Sequence, residues 1–92
     1  MLEIYQTSSF KKDRRRELKN PNNKDLDLRV VEILLLLINQ KPVPSRFKLH
    51  RLKGNYSGYL ECHVKPDLLM IFRIETKRVY LYRLGSHSNL FR

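Results

Sequence analysis

Three histidines, His50, His63 and His87, stand in the second half of this chain, each in a polar setting with glycine or lysine close by. Imidazole gives up or accepts a proton near neutral pH, so a set of histidines can supply both a general acid and a general base. His63 comes four residues before Asp67 in His63-Val64-Lys65-Pro66-Asp67, with Pro66 bending the chain between them. A carboxylate so placed can orient an imidazole and favour its charged form, although Asp67 also suits an Asx turn. Arg83 closes an apolar run and is followed by Leu84-Gly85-Ser86-His87, a turn able to swing His87 over a sheet edge. Displacement at phosphorus asks for this pairing: fixed positive charge for the equatorial oxygens and a proton for the leaving oxygen.

Other chemistries find less support. Cys62, His63 and Asp67 are all possible metal ligands, but strand alternation sends Cys62 and His63 to opposite faces, so no metal site is expected. Ser57 and Ser86 lie in no nucleophile motif, and Gly54-Asn55-Tyr56-Ser57-Gly58 is not a phosphate-binding loop. No cofactor is expected. The single cysteine excludes an intramolecular disulfide framework.

These residues need a scaffold, and 92 residues fit one compact domain spanning 1–92 whose site must lie on an open surface. Leu2 to Tyr5 reads as a first strand. Ser8 and Ser9 offer caps for a helix over about residues 9–19, and Asn22 and Asn23 can cap a second helix with body Leu26 to Gln40, ended by Pro42 and Pro44. Beyond Gly58 the period becomes two: Leu60, Cys62 and Val64 alternate with Glu61, His63 and Lys65. Leu68 to Ile74 reads as a central strand and Arg78 to Arg83 as the last. The expected fold is α+β, a small antiparallel sheet with two helices from the N-terminal half on one face, in the order β-α-α-β-β-β.

Nineteen Lys and Arg against nine Asp and Glu give a formal charge of +10, which favours polyanionic partners, nucleic acid first. A membrane partner is not expected, because the run Lys11-Lys12-Asp13-Arg14-Arg15-Arg16 has only Phe10 and Leu18 as apolar neighbours. The longest apolar stretch, Ile33 to Ile38, is far below the roughly 20 residues of a spanning helix, and no signal peptide is recognisable. A cytoplasmic protein is expected.

The segments His50-Arg51-Leu52-Lys53-Gly54, Gly58-Tyr59, Glu61-Cys62-His63-Val64-Lys65-Pro66-Asp67 and Arg83 to Phe91 together resemble the YafQ-type toxins of the RelE/ParE superfamily. That resemblance implies a compact sheet with helices on one side, an acidic antitoxin as protein partner, and cleavage of mRNA at the ribosome. It also implies a catalytic set of His50, His63, Asp67 and His87, with Arg83 holding phosphate. Arg51, Lys53, Lys65 and Phe91 are expected to contact substrate. Two departures stand out: relatives usually carry Arg where this chain has Leu60, and some carry Trp at Leu68.

The implied reaction is in-line attack of a ribose 2′-hydroxyl on the adjacent phosphate, leaving a 2′,3′-cyclic phosphate and a 5′-hydroxyl. His87 is the expected general acid, His50 or His63 the base, Asp67 the orienter and Arg83 the transition-state stabiliser. The rival reading is a non-catalytic basic module that binds RNA or the ribosome, or a superfamily relative that poisons a topoisomerase. The histidine cluster speaks against it, since electrostatic binding alone needs no group titrating near neutrality.

Overall fold

A computed structural model describes residues 2–91. Strand β1 (Glu3–Gln6) leads into helix α1 (Ser8–Leu18), and a short 3₁₀ turn (Pro21–Asn23) precedes helix α2 (Leu26–Ile38). After a second such turn (Ser45–Phe47) come β2 (His50–Arg51), a third turn (Gly54–Tyr56), and the strands β3 (Leu60–Lys65), β4 (Leu68–Glu75) and β5 (Arg78–Gly85). The short helix α3 (His87–Leu90) follows. Among the described residues no helix is long and apolar enough to cross a membrane.

The helix ends differ in detail from the sequence expectation. The cap of α1 is Thr7, whose Oγ1 accepts from the Phe10 N–H at 3.0 Å, rather than Ser8 or Ser9. Asn20 caps the turn ahead of α2, while Asp25 sits at the N-cap of α2 without a side-chain capping bond. At the other end, Gln40 takes a left-handed φ of 54°. The Gln40 N–H then reaches Leu37 O and the Lys41 N–H reaches Leu36 O, which closes α2 at Ile38, four residues before Pro42.

The sheet runs β1-β5-β4-β3-β2, and all its pairings are antiparallel except β1 with β5, which is parallel. Helices α1 and α2 cover one face. Phe10, Leu26, Val30, Ile33 and Leu37 meet Cys62, Val64, Met70, Phe72, Val79 and Leu81 there. On the other face Leu69 and Ile71 lie under Leu90 of α3, flanked by Leu52, Tyr56, Tyr59 and Tyr82. Strand β4 is thus buried on both sides through Phe72, which explains its nearly unbroken apolar run.

Cys62 faces the helices and is fully buried. Burial, assisted by the neighbouring Glu61 charge, pushes its thiol up to about 12. A thiol needs its thiolate form to react, so native protein is expected to resist a disulfide-exchange chromophore at pH 8 and to react once unfolded in guanidinium. Rapid labelling of the native protein would show that this side of the sheet opens readily.

Candidate active site

The site is built on the sheet face that α1 and α2 leave uncovered. His50 on β2 lies directly across from Glu61 on β3, and His63 is two residues further along the same face. Both imidazoles approach the Glu61 carboxylate: Oε1 is 3.2 Å from His50 Nε2 and 3.8 Å from His63 Nε2. Lys48 adopts a left-handed φ of 49°, which turns its carbonyl oxygen to within 2.7 Å of His50 Nδ1. A carbonyl only accepts, so Nδ1 carries the hydrogen and Nε2 faces the carboxylate. Glu61 is only 3% exposed, and its second oxygen, Oε2, is buried without a protein donor. An acceptor left unmade at a buried position is costly.

A row of rings continues from this pair. The His50 and His63 centroids are 6.3 Å apart, those of His63 and His87 6.0 Å, and those of His87 and Phe91 6.2 Å. His87 opens α3, which is fixed by a capping box between Ser86 and Asn89. Asp67 turns to His87 and not to His63: its Oδ1 accepts from His87 Nδ1 at 3.0 Å and from the His87 N–H at 3.1 Å. The expected Asp67–His63 pair is therefore corrected. After His63 the β3–β4 register shifts, and the Pro66-Asp67 turn projects the carboxylate past His63 to the start of α3. These two bonds from His87 hold the Asp67 carboxyl below the usual carboxylate range. With Nδ1 engaged, His87 Nε2 is left to meet a substrate in solvent.

Arg83 is anchored from behind. Its Nε donates to Asp13 Oδ2 at 2.6 Å and its Nη2 to Asp13 Oδ1 at 3.3 Å. Asp13 also accepts from the Leu84 N–H at 2.9 Å and from Arg16 Nη1 at 2.8 Å, while Arg16 Nη2 donates to Leu84 O. Burial by itself would raise the Asp13 carboxyl, but these donors outweigh it and hold it below its ordinary value. The same carboxylate raises Arg83. Arg83 keeps a quarter of its side chain exposed, so its remaining N–H groups can reach a phosphate.

Of the expected substrate contacts, Arg51 and Lys53 are exposed on β2 and in the following turn. Phe91 is 39% exposed, with its ring 5.5 Å from Tyr56. Lys65 is not in the row. Its ammonium donates to Asn23 Oδ1 at 3.2 Å and pairs with Asp25 Oδ1 at 2.8 Å, tying β3 to the loop before α2. Lys65 and Arg29 pull the Asp25 carboxyl down to about 2. Sequence reasoning missed Glu61, Asp13 and the tyrosines Tyr56, Tyr59 and Tyr82, which cluster on the same sheet face and meet the row through Tyr56 and Phe91. Among the described residues no group of three His, Cys, Asp or Glu side chains is arranged to hold a metal ion.

This arrangement can be compared with known proteins. A family model described as a bacterial toxin of type II toxin-antitoxin system, YafQ, matches residues 2–92. The chain belongs to the YafQ toxin family. It is 32% identical over 89 residues to the mRNA interferase toxin YafQ of Escherichia coli K12, an alignment covering 97% of this chain and 95% of that protein. The E. coli DinJ-YafQ complex contains a chain similar over the full length of both, at 31% identity and a TM-score of 0.85. A copper-bound mutant toxin from Helicobacter pylori is similar at 36% identity and a TM-score of 0.91, over 99% of this chain and 100% of that one.

Leu60 and Leu68, the two departures from the YafQ pattern, both face away from the imidazole row. Leu60 packs against the helix-side core and Leu68 is 4% exposed within it. Leu60→Arg is therefore expected to change the cleavage rate less than about tenfold and to lower stability by about 1 to 2 kcal/mol through lost apolar burial. Single-turnover cleavage and a thermal melt check both. A hundredfold gain in rate would place residue 60 in the site.

Proposed function

We propose that this toxin cleaves messenger RNA on the ribosome by imidazole acid–base catalysis, with the substrate's own 2′-hydroxyl as nucleophile. It is an endoribonuclease, and the observation that carries the finer reading is the row His50, His63, His87 on an open sheet face, flanked by Arg83. The His50–Glu61–His63 group is the base end: an imidazole takes the 2′-hydroxyl proton and Glu61 balances the charge that develops. The freed oxygen attacks phosphorus, and the P–O5′ bond breaks. His87 Nε2 gives its proton to the departing 5′-oxygen, while Asp67 holds the ring through Nδ1 and stabilises its protonated form. Arg83, kept in place by Asp13, balances the negative charge building on the equatorial phosphate oxygens.

The net charge of +10 supports an acidic antitoxin as partner, covering the basic surface and the His87 end of the row. The E. coli relative was crystallised with DinJ, which supports a protein partner of this kind.

The reaction so written needs no metal, because imidazole can activate the 2′-hydroxyl directly. Cleavage in a translating-ribosome assay is expected to persist in EDTA and to yield fragments ending in 2′,3′-cyclic phosphate. The H. pylori relative binds copper, so the assay includes copper, zinc and magnesium add-back. Activity lost to the chelator and restored by one of these ions would overturn the metal-free route.

A further inference from the structure

Strand β2 is only two residues long and pairs with Leu60 and Glu61, so among the described residues the outer edge of β3 beyond Cys62 carries no strand. The Ser45–Phe47 turn packs against β3 through Phe47, and a cleft of about 230 Å³ opens beside it toward Arg29 of α2. His63, Val64 and Pro66 line the cleft from the β3 side. Around it stand Arg29, Arg46, Lys48 and Lys65, with Phe47 at the base. We propose that this cleft is a subsite for the phosphate and ribose of the nucleotide adjoining the scissile bond, extending the RNA path from the imidazole row around the edge of β3. The inference rests on the RNA-cleaving reading above.

The charge balance is favourable. Four cations line the cleft against two neighbouring carboxylates, Asp25 and Glu32, which leaves a net positive field before His63 is counted. The Arg46–Glu32 pair is about half exposed on both sides, and the Arg29–Asp25 pair is similar. Exposed pairs of this kind are weak, so a phosphate, carrying a full charge and several acceptor oxygens, can draw either guanidinium from its carboxylate. Lys48 makes no ion pair among the described residues. Its left-handed backbone gives it two attachments at once: its carbonyl holds His50 Nδ1, while its side chain lines the cleft. The same left-handed φ closes the Ser45–Phe47 turn, where the Lys48 N–H donates to Ser45 O at 3.0 Å. The volume is below the roughly 300 Å³ of a pocket for a drug-sized ligand, and it suits one phosphate with its sugar.

The test is binding of a fluorescent, fully 2′-O-methylated RNA oligonucleotide, which lacks the nucleophile and stays intact, measured by anisotropy across a salt series. Arg46→Gln and Lys48→Gln are changes at exposed positions, and because the Arg46 guanidinium lies 4.5 Å over the ring of buried Phe47, a thermal melt of each variant accompanies its binding curve. Lys77→Gln, in the exposed β4–β5 turn, removes the same charge far from the cleft. Each lost phosphate contact on a single strand reduces the slope of log K against log salt by about 0.7. Arg46→Gln with Lys48→Gln is expected to flatten the slope by about 1 or more and weaken low-salt binding roughly tenfold, against little change for Lys77→Gln. Cleavage by the double variant should show a raised KM at nearly constant kcat. Equal effects from Lys77→Gln and the cleft variants, or no effect from either, would overturn the subsite while leaving the nuclease reading intact. A wild-type protein that neither binds nor cuts RNA would overturn both.

Discussion

Replacing His87 with alanine is expected to lower the rate of RNA cleavage by roughly 10² to 10⁴-fold while leaving RNA or ribosome binding nearly unchanged. The structure separates the chemistry of this residue from its structural role. Its side chain is 59% exposed, and its one bond is to Asp67, itself 68% exposed. Helix α3 is capped by Ser86 and Asn89 and anchored by Leu90, none of which depends on the imidazole. Alanine at position 87 therefore removes the proton donor from the end of the row and little else. The measurement is single-turnover cleavage beside a binding curve and a melt. A variant that keeps near-wild-type activity would remove His87 from the mechanism. Asp67→Asn should lie between wild type and His87→Ala, because the amide keeps a hydrogen bond to the ring but no longer stabilises its charge.

The legible parts of the molecule are those whose signal is local and periodic. Alternation from Leu60 to Lys65 placed Cys62 and His63 on opposite faces, and the unbroken run from Leu68 identified a strand buried on both sides. The hidden parts depend on partners far away in the chain. Strand β2 is too short to carry a period, so neither its pairing with β3 nor the burial of Glu61 beneath His50 could be seen. Glu61 looked like one more polar residue on a solvent face. Parallel pairing of β1 with β5 joins segments at opposite ends of the chain, and nothing in Leu2 to Tyr5 specifies it. Asp67 illustrates a subtler limit: its spacing from His63 was right for contact, but the register shift after His63 directed it to His87. For Lys65 the hidden part is the set of acceptors in the loop before α2, which no local pattern around residue 65 reveals.

Asp13 makes the same point with the largest consequence for stability. In the sequence it is one acid inside a basic run, and that run reads as a solvated helix face. In the structure it is 3% exposed and accepts from Arg83, Arg16 and the Leu84 N–H, partners about seventy positions away except for Arg16. Asp13→Ala leaves the Leu84 N–H and the inner face of Arg83 without an acceptor. Breaking a buried pair from one side typically costs about 3 kcal/mol or more, which for a domain of this size lowers the melting temperature by roughly 12 to 24 °C. The pH dependence has a fixed sign. The folded carboxyl lies below its unfolded value, so its contribution is present above the unfolded value of about 3.9 and is lost as pH falls through the lower folded one. The gap between wild type and Asp13→Ala should accordingly be full near neutrality and shrink in acid. Arg83→Met added to Asp13→Ala removes the uncompensated guanidinium, so the double variant is expected to be less destabilised than the sum of the singles. Thermal melts of the three variants across pH decide the matter. A melting temperature for Asp13→Ala within about 2 °C of wild type at pH 7 would mean that the carboxylate neither secures the end of β5 nor fixes Arg83 beside the imidazole row.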